Sequence, residues 1–151
     1  MASDRSWIVG LELEVFAATA ERSRLRDFAR IVGITDPKYT DFDAARAAGH
    51  PDLLIPPTYF FSLELSRPDP DRILRELQID RRQILHGEQR FSYHRLAFAG
   101  ELLHMAPRIV DCYEKKGGAL TFVVRETEVT ASGTRVATLT NVMVVRELEL
   151  A

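Results

Sequence analysis

Residues 84–101, ILHGEQRFSYHRLAFAGE, contain the pattern that decides the fold of this chain. The first part of this stretch predicts a strand, Gly100 marks a turn, and its end begins another extended segment. Beyond it, residues 121–147 have the alternation and the central turn signal of a long antiparallel hairpin. The C-terminal part of the chain is therefore predicted to form a β-sheet.

Turn residues separate the strands of this sheet. Lys116-Gly117-Gly118 and Ser132-Gly133-Thr134 lie between the last three of them. A change of parity between Val124 and Thr127 predicts a bulge near Arg125. We place the four strands at about residues 84–94, 102–114, 119–130 and 135–148.

The preceding half of the chain predicts one short strand and several helices. Residues 11–15 alternate strictly between apolar and acidic side chains, which indicates a strand with one face in water. Gly33 can end the first helix in the left-handed conformation, and Thr40 can cap the second. We place the helices at about residues 20–32, 41–48, 57–65 and 71–79.

The third of these helices is the one expected in the core. Residues 57–65 carry aromatic and leucine side chains on almost every side, and a helix of this kind belongs in a protein interior. A helix covered by an antiparallel sheet gives the α+β class. The pattern fits a sheet curled around the helix, which is the hot-dog fold, and it leaves ferredoxin-like arrangements open.

Composition and charge limit the possible functions. The chain has 151 residues, 46% of them hydrophobic, which fits one globular domain over residues 1–151. A net charge of −2 gives no reason to expect nucleic acid or an anionic membrane as a partner. No apolar run approaches the ~20 residues of a membrane span, and the first residues lack a signal-peptide layout. A lone Cys112 excludes an internal disulfide, so we expect a cytoplasmic protein.

Several short motifs occur in an order and spacing that resemble the N-terminal-type half of MaoC-like hydratases and dehydratases. The helix that ends at Val32-Gly33 is the first of them, and each motif is weak by itself. The others are Thr35-Asp36-Pro37-Lys38-Tyr39, residues 41–49, Ile55-Pro56-Pro57-Thr58-Tyr59-Phe60, His86-Gly87-Glu88-Gln89, Ala99-Gly100-Glu101 and residues 116–123. The resemblance implies the hot-dog fold and an acyl-thioester substrate.

The same resemblance bears on catalysis. Active members carry the motif Asp-x-Asn-Pro-Ile/Val-His, whose Asp and His exchange the protons of hydration across a 2-enoyl thioester. Alignment on Pro37 places Ile34 at the Asp position and Tyr39 at the His position, with Asp36 at the Asn position. Isoleucine cannot carry a proton, and a tyrosine phenol is a poor general base near neutral pH. The resemblance therefore implies a half that lacks the catalytic pair.

In two-domain and two-subunit members, such a half binds or shapes the acyl chain while a second hot-dog unit carries the Asp and His. By this resemblance we expect a homodimer, or a heterodimer with a subunit that carries the pair. No cofactor is expected beyond the coenzyme A or acyl-carrier part of the substrate. The residues expected to contact substrate are Tyr39, Pro57, Thr58, Tyr59, Phe60 and His94.

Three residues are weak catalytic candidates. His86 and Glu88 lie two apart on a strand and are expected on one face, as an acid–base pair or as a hydrogen-bonded pair at a strand end or dimer seam. Asp36 precedes Pro37, and backbone hydrogen bonding in a turn explains it well. No set of His, Cys and carboxylate residues has metal-ligand spacing, so no metal site is expected.

Three functions follow from these observations. The first is a component of an enoyl-thioester hydratase or 3-hydroxyacyl-thioester dehydratase, in the role of the substrate-binding subunit. The second is a homodimer that binds acyl thioesters without catalysis or acts as a scaffold. The third is a hot-dog thioesterase that uses Glu88 or His86.

Overall fold

A computed structural model describes residues 4–147 of the chain. The helices are α1 (Arg22–Val32), α2 (Phe42–Ala47), α3 (Tyr59–Glu64) and α4 (Arg72–Leu77). The strands are β1 (Phe16–Ala18), β2 (Ile84–Tyr93), β3 (Leu103–Lys115), β4 (Leu120–Ala131) and β5 (Thr134–Arg146). The four long predicted strands are confirmed, and Leu148, the predicted end of the last one, lies outside the described residues.

The five strands form one antiparallel sheet in the order β1-β3-β4-β5-β2. Consecutive hairpins join β3, β4 and β5, as the glycine-containing turns predict. β2 precedes these strands in the chain but pairs with β5 at the edge of the sheet. Among the helices in residues 4–147, none has the length and apolar composition that crossing a membrane requires.

The helix α3 lies against the inner face of this sheet. Tyr59, Phe60 and Leu63 are buried, and the Phe60 ring centroid is 5.8 Å from that of Tyr93 on β2. At the other end, buried Glu64 accepts a hydrogen bond from Arg125 of β4. The sheet therefore wraps around a buried central helix, which confirms the predicted α+β hot-dog fold.

Helix α1 packs through one stripe of its sequence, in which Leu25, Phe28, Ala29 and Val32 are spaced at i, i+3, i+4 and i+7. Leu25 and Ala29 are fully buried, whereas Val32 is half-exposed at the end of the helix. Gly33 ends it with φ of 78°, and its N–H donates to the carbonyls of Ala29 and Arg30. The expected cap of α2 is wrong: Asp41, rather than Thr40, accepts from the Ala44 N–H at 2.8 Å.

The expected strand at residues 11–15 is also wrong. That segment makes only an isolated bridge between Glu12 and Arg108, and the strand β1 begins at Phe16. The Leu13 N–H donates to the Pro107 carbonyl, but Pro107 has no N–H to return. The proline in β3 thus prevents a continuous ladder beside residues 11–15.

The bulge expected near Arg125 lies on the neighbouring strand instead. The register of β3 against β4 shifts between Ile109 and Asp111, opposite Arg125. β4 itself keeps one parity, because its odd-numbered residues from Thr121 to Ala131 are all buried. The even-numbered Phe122 is stacked on Tyr113 on the outer face, at 5.0 Å between ring centroids.

Candidate functional site

A cavity of about 330 Å³ lies at the N-terminal end of α3. Its size is in the range of small-molecule sites. Three segments form its wall: the turn that contains Tyr39, the segment that leads into α3, and the segment that follows β2. The lining residues are Tyr39, Ile55, Pro57, Phe60, Tyr93, His94, Arg95, Leu96 and Ala97.

Backbone hydrogen bonds hold these segments together. The Ile55 N–H donates to the Ala97 carbonyl at 2.9 Å, and the Leu54 N–H donates to the Lys38 carbonyl at 3.2 Å. Ile55 and Ala97 are 42 positions apart in the chain, and Lys38 and Leu54 are 16 positions apart. The fold rather than local sequence therefore assembles the cavity. The main chain gives the cavity a fixed frame.

Four of the six residues expected to contact substrate line this cavity: Tyr39, Pro57, Phe60 and His94. The other two do not. Thr58 stands at the N-cap position of α3, where its side chain makes no capping hydrogen bond. Tyr59 is buried and packs edge-on against Phe28 of α1, with ring centroids 5.2 Å apart.

Tyr93 is a wall residue that the sequence analysis did not select. Its hydroxyl donates to the Pro57 carbonyl at 2.5 Å, and its ring is stacked on Phe91. Partial burial raises the pKa of Tyr93 to about 12, so the phenol is neutral at physiological pH. The sequence signal that could have identified it is the spacing of Phe91 and Tyr93, two positions apart on β2, which places both rings on one face of the strand.

The polar side chains that follow Tyr93 also make hydrogen bonds. His94 Nε2 lies 3.1 Å from Thr138 Oγ1, and the His94 N–H donates to the Val136 carbonyl. The Arg95 guanidinium donates to Glu101 Oε1 at 2.5 Å. These contacts position the rim of the cavity against β5 and the loop that precedes β3.

The turn at Asp36 presents one residue to the cavity. Asp36 caps a short 3₁₀ turn and accepts from the Lys38 N–H at 3.1 Å. This backbone hydrogen bond, with Lys38 beside it, lowers the pKa of the exposed Asp36 carboxyl. Tyr39 lines the cavity, whereas Ile34 and Asp36 do not.

The shared face expected for His86 and Glu88 is wrong. A bulge at Gly87 shifts the β2 register between them. The His86 ring faces α3, with its centroid 5.7 Å from that of Phe61, while Glu88 is exposed and pairs with Arg90 at 3.0 Å. The two side chains therefore point to opposite faces of the sheet and cannot act as a pair.

Within residues 4–147, no group of three or more His, Cys, Asp or Glu side chains is arranged to hold a metal ion. The arginines of the strand faces have acidic neighbours: Arg90 pairs with Glu88, and Arg108 pairs with Glu126. The candidate site therefore has an apolar wall, three hydrogen-bonded polar side chains (Tyr93, His94 and Arg95), and the Tyr39 hydroxyl, which makes no hydrogen bond within residues 4–147.

The sequence matches a model of the family described as FAS1-like, dehydratase domain region, over residues 7–139. Proteins named UPF0336 are similar to it. That of Clavibacter michiganensis is 38% identical over 132 residues, 83% of each chain. That of Streptomyces griseus is 38% identical over 115 residues, 72% of this chain and 73% of its own. The match to the Streptomyces coelicolor protein, 40% identical, spans 58% of this chain and 59% of that relative.

Solved structures share the fold at low sequence identity. The HadBC (3R-hydroxyacyl-ACP dehydratase) complex from Mycobacterium tuberculosis gives a TM-score of 0.73 at 23% identity, over 95% of this chain and 99% of its own. The ChsH1-ChsH2 complex from the same organism gives 0.73 at 19% identity, over 93% and 86%. A MaoC-like dehydratase gives 0.78 at 23% identity, over 94% and 43%. The chain therefore belongs to the FAS1-like dehydratase domain region family, and its fold is that of MaoC-like dehydratases.

Proposed function

We propose that this protein is the acyl-binding subunit of a hydratase or dehydratase that interconverts 2-enoyl and 3-hydroxyacyl thioesters. The substrate would be an acyl-CoA or an acyl-carrier thioester. The observation that carries the proposal is the composition of the cavity at the N-terminal end of α3. Its wall is apolar at Ile55, Phe60, Leu96 and Ala97, and three of its polar side chains, Tyr93, His94 and Arg95, are already hydrogen-bonded, which leaves the Tyr39 hydroxyl as its one polar side-chain group without a hydrogen bond in residues 4–147.

Such a cavity suits an acyl chain better than a proton transfer. Hydration requires one group that takes a proton from water and one that returns a proton to the substrate carbon. Of the motif residues, only Tyr39 lines the cavity, and it is a tyrosine where active members have histidine. We infer that this subunit positions the chain and that a second subunit moves the protons.

The proposed partner is a hot-dog protein with an intact Asp-x-Asn-Pro-x-His motif. HadBC and ChsH1-ChsH2 are named as complexes, and their fold likeness to this chain supports a heterodimer. A homodimer remains the alternative assembly. A cytoplasmic location is part of the proposal, supported by a lone Cys112 that requires no oxidising compartment.

The test is co-expression with a hot-dog protein that is encoded by an adjacent reading frame and carries the intact motif. Hydration assays on short and long 2-enoyl-CoAs follow. We expect the pair to be active and this chain alone to be slower by about 10²–10⁴-fold. In the pair, Phe60→Ala should raise KM for long substrates more than for short ones. Phe122→Ala, which removes a phenyl ring from the outer face, is the matched control and should not.

Two results would overturn the proposal. One is strong hydration or thioester hydrolysis by this chain alone that His86→Ala or Glu88→Ala abolishes, because it would place catalysis elsewhere in the chain. The other is failure of this chain to bind any motif-bearing hot-dog protein, which would favour the non-catalytic homodimer.

A further inference from the structure

A second, larger cavity of about 410 Å³ lies at the C-terminal end of α3. It is lined by α3, α4, the segment between them and the strands β2, β4 and β5, and it shares no lining residue with the cavity at the N-terminal end. At about 30 Å³ for each water-sized group, it has room for roughly a dozen non-hydrogen atoms. Its apolar wall includes Phe61, Leu65, Ile73, Leu74 and Met143.

Three arginines also line the cavity: Arg67, Arg81 and Arg125. Arg125 lines the cavity although only 6% of its surface is exposed. Its Nε donates to Glu64 Oε1 at 3.1 Å, and its terminal amino groups make no hydrogen bond to any residue in 4–147. A guanidinium has five N–H donors, so most of those on Arg125 are available to a bound group.

Of the three arginines that line this cavity, one has no carboxylate partner in residues 4–147. Arg125 is balanced by Glu64, and Arg81 is balanced by Asp71 at 2.5 Å. Arg67 has no carboxylate partner among the described residues, since it donates only to the carbonyls of Glu64 and Pro70 at 3.4 Å each. The wall therefore has a surplus of one positive charge.

This surplus cation is costly for the fold. Arg67 is half-buried: burial first, and then the nearby Arg125 guanidinium, lower its pKa, and the charges of Glu64 and Asp71 only partly offset this. Arginine nevertheless stays charged at physiological pH. Buried ionic groups are seldom better for stability than apolar residues of similar size. A function in binding accounts for the uncompensated Arg67 better than a structural role does.

We propose that this cavity binds a carboxylate monoanion with an apolar tail. The two arginines, Arg67 and Arg125, hold the carboxylate, because a guanidinium matches its two oxygens. The tail lies against Phe61, Leu65 and Met143. A dianionic phosphate is disfavoured because the wall supplies one uncompensated charge. The inference stands apart from the proposed function, since the cavity at the other end of α3 does not enter it.

Isothermal titration calorimetry on the full chain tests the proposal with octanoate as the probe and octanol and octyl phosphate as comparisons. We expect octanoate to bind more tightly than either. Arg67→Gln should weaken octanoate binding by about tenfold or more, the size of one charged hydrogen bond. Arg67→Lys retains the charge and should lose less. Arg90→Gln, an exposed arginine of β2 outside the cavity, is the matched control and should change nothing.

Other outcomes would overturn it. Equal affinity for octanol and octanoate would mean that the cavity binds the apolar tail without recognising the carboxylate. Tighter binding of octyl phosphate would mean that it selects phosphates. Loss of octanoate binding in Phe60→Ala, with Arg67→Gln unaffected, would place the ligand in the cavity at the N-terminal end of α3. Circular dichroism of each variant separates lost binding from lost folding.

Discussion

Glu64 is the last residue of α3, and only 1% of its surface is exposed. Its Oε1 accepts hydrogen bonds from Arg125 Nε at 3.1 Å and from Thr127 Oγ1 at 2.5 Å, while Oε2 has no partner among the described residues. A buried charge that loses its partner is far more costly than an exposed one. The central helix is therefore fixed to β4 through one carboxylate.

We predict that Glu64→Ala lowers the free energy of unfolding by about 3–5 kcal/mol, since it leaves the buried Arg125 guanidinium unpaired. The measurement is equilibrium urea unfolding. Glu126→Ala is the control, because Glu126 pairs with the exposed Arg108 at 3.0 Å, and such a pair contributes about 0–1 kcal/mol. Equal losses in the two variants would contradict the assigned role of Glu64.

A second prediction at this scale concerns acid. The Arg82 side chain and backbone N–H both hydrogen-bond to the exposed Asp80 carboxylate and lower its pKa to about 2. In the unfolded chain this pKa is near 4, so Asp80 contributes stability above about pH 4 that is lost as the pH falls towards 2.

Asp80→Asn retains the capping oxygen but removes this titration. The urea midpoint of the wild type should exceed that of the variant at about pH 6, and the gap should narrow as the pH falls from about 4 to 2. A gap of constant size over this range would show that Asp80 acts through its capping hydrogen bond alone.

At the residue scale, four residues that were grouped from the sequence are brought together by the fold. Tyr39, Pro57, Phe60 and His94 line one cavity, and their contact with substrate stays a prediction. Glu64 was missed because an acidic residue at the end of an apolar helix ordinarily turns to water. Its partner Arg125 is 61 positions away, so no local pattern links them.

At the scale of elements, the strand β2 depends on one glycine. A Cβ at Gly87 would stand 2.8 Å from Val144 Cγ2 and 2.9 Å from the Val142 carbonyl oxygen, closer than real contacts allow. The bulge at this glycine turns His86 towards α3 while Glu88 remains on the outer face. Gly87 therefore sets which side chains of β2 face the interior.

We predict that Gly87→Ala lowers the free energy of unfolding by about 1–3 kcal/mol, since β2 or β5 must shift to admit the methyl group. Urea unfolding measures the effect. Ser92→Ala, at an exposed position of the same strand, should stay within about 0.5 kcal/mol of the wild type. If Gly87→Ala were as stable as Ser92→Ala, the close packing of β2 on β5 would be disproved.

Elements with a regular spacing of apolar residues in their own sequence were predicted well. Features that depend on the adjacent strand in the sheet were not. The stripe of α1, the apolar α3 and the four long strands all follow from spacing. The strand expected at residues 11–15 fails because Pro107 of β3 cannot return a hydrogen bond. The bulge lies on β3, so it shifts the pairing of β3 with β4 but leaves the alternation of side chains along β4 unchanged.

At the scale of the whole molecule, the strand order places β2 at an edge. Within residues 4–147, β2 pairs with β5 alone, and its other side is a ten-residue row of backbone groups without a strand partner. Long edges of this kind favour pairing with another chain. The opposite edge is partly covered by β1 and by the bridge at Glu12. β2 is therefore the edge at which a second subunit is expected.

We predict that the purified chain is a dimer whose sheet continues across paired β2 edges. Leu85 on this strand is 46% exposed, and Leu85→Lys should shift the protein towards the monomer, because lysine on an edge opposes pairing. A loss of about 3 kcal/mol would raise Kd by about a hundredfold. Light scattering at micromolar concentration measures the change.

The control for this prediction is Leu102→Lys, which places the same charge on an exposed leucine just before β3. Because β3 lies on the side of the sheet away from β2, this variant should remain a dimer. A monomeric wild type would end the β2 pairing hypothesis for the chain alone. Dissociation by both variants would instead place the interface where both leucines contribute, which an edge-to-edge β2 pair does not allow.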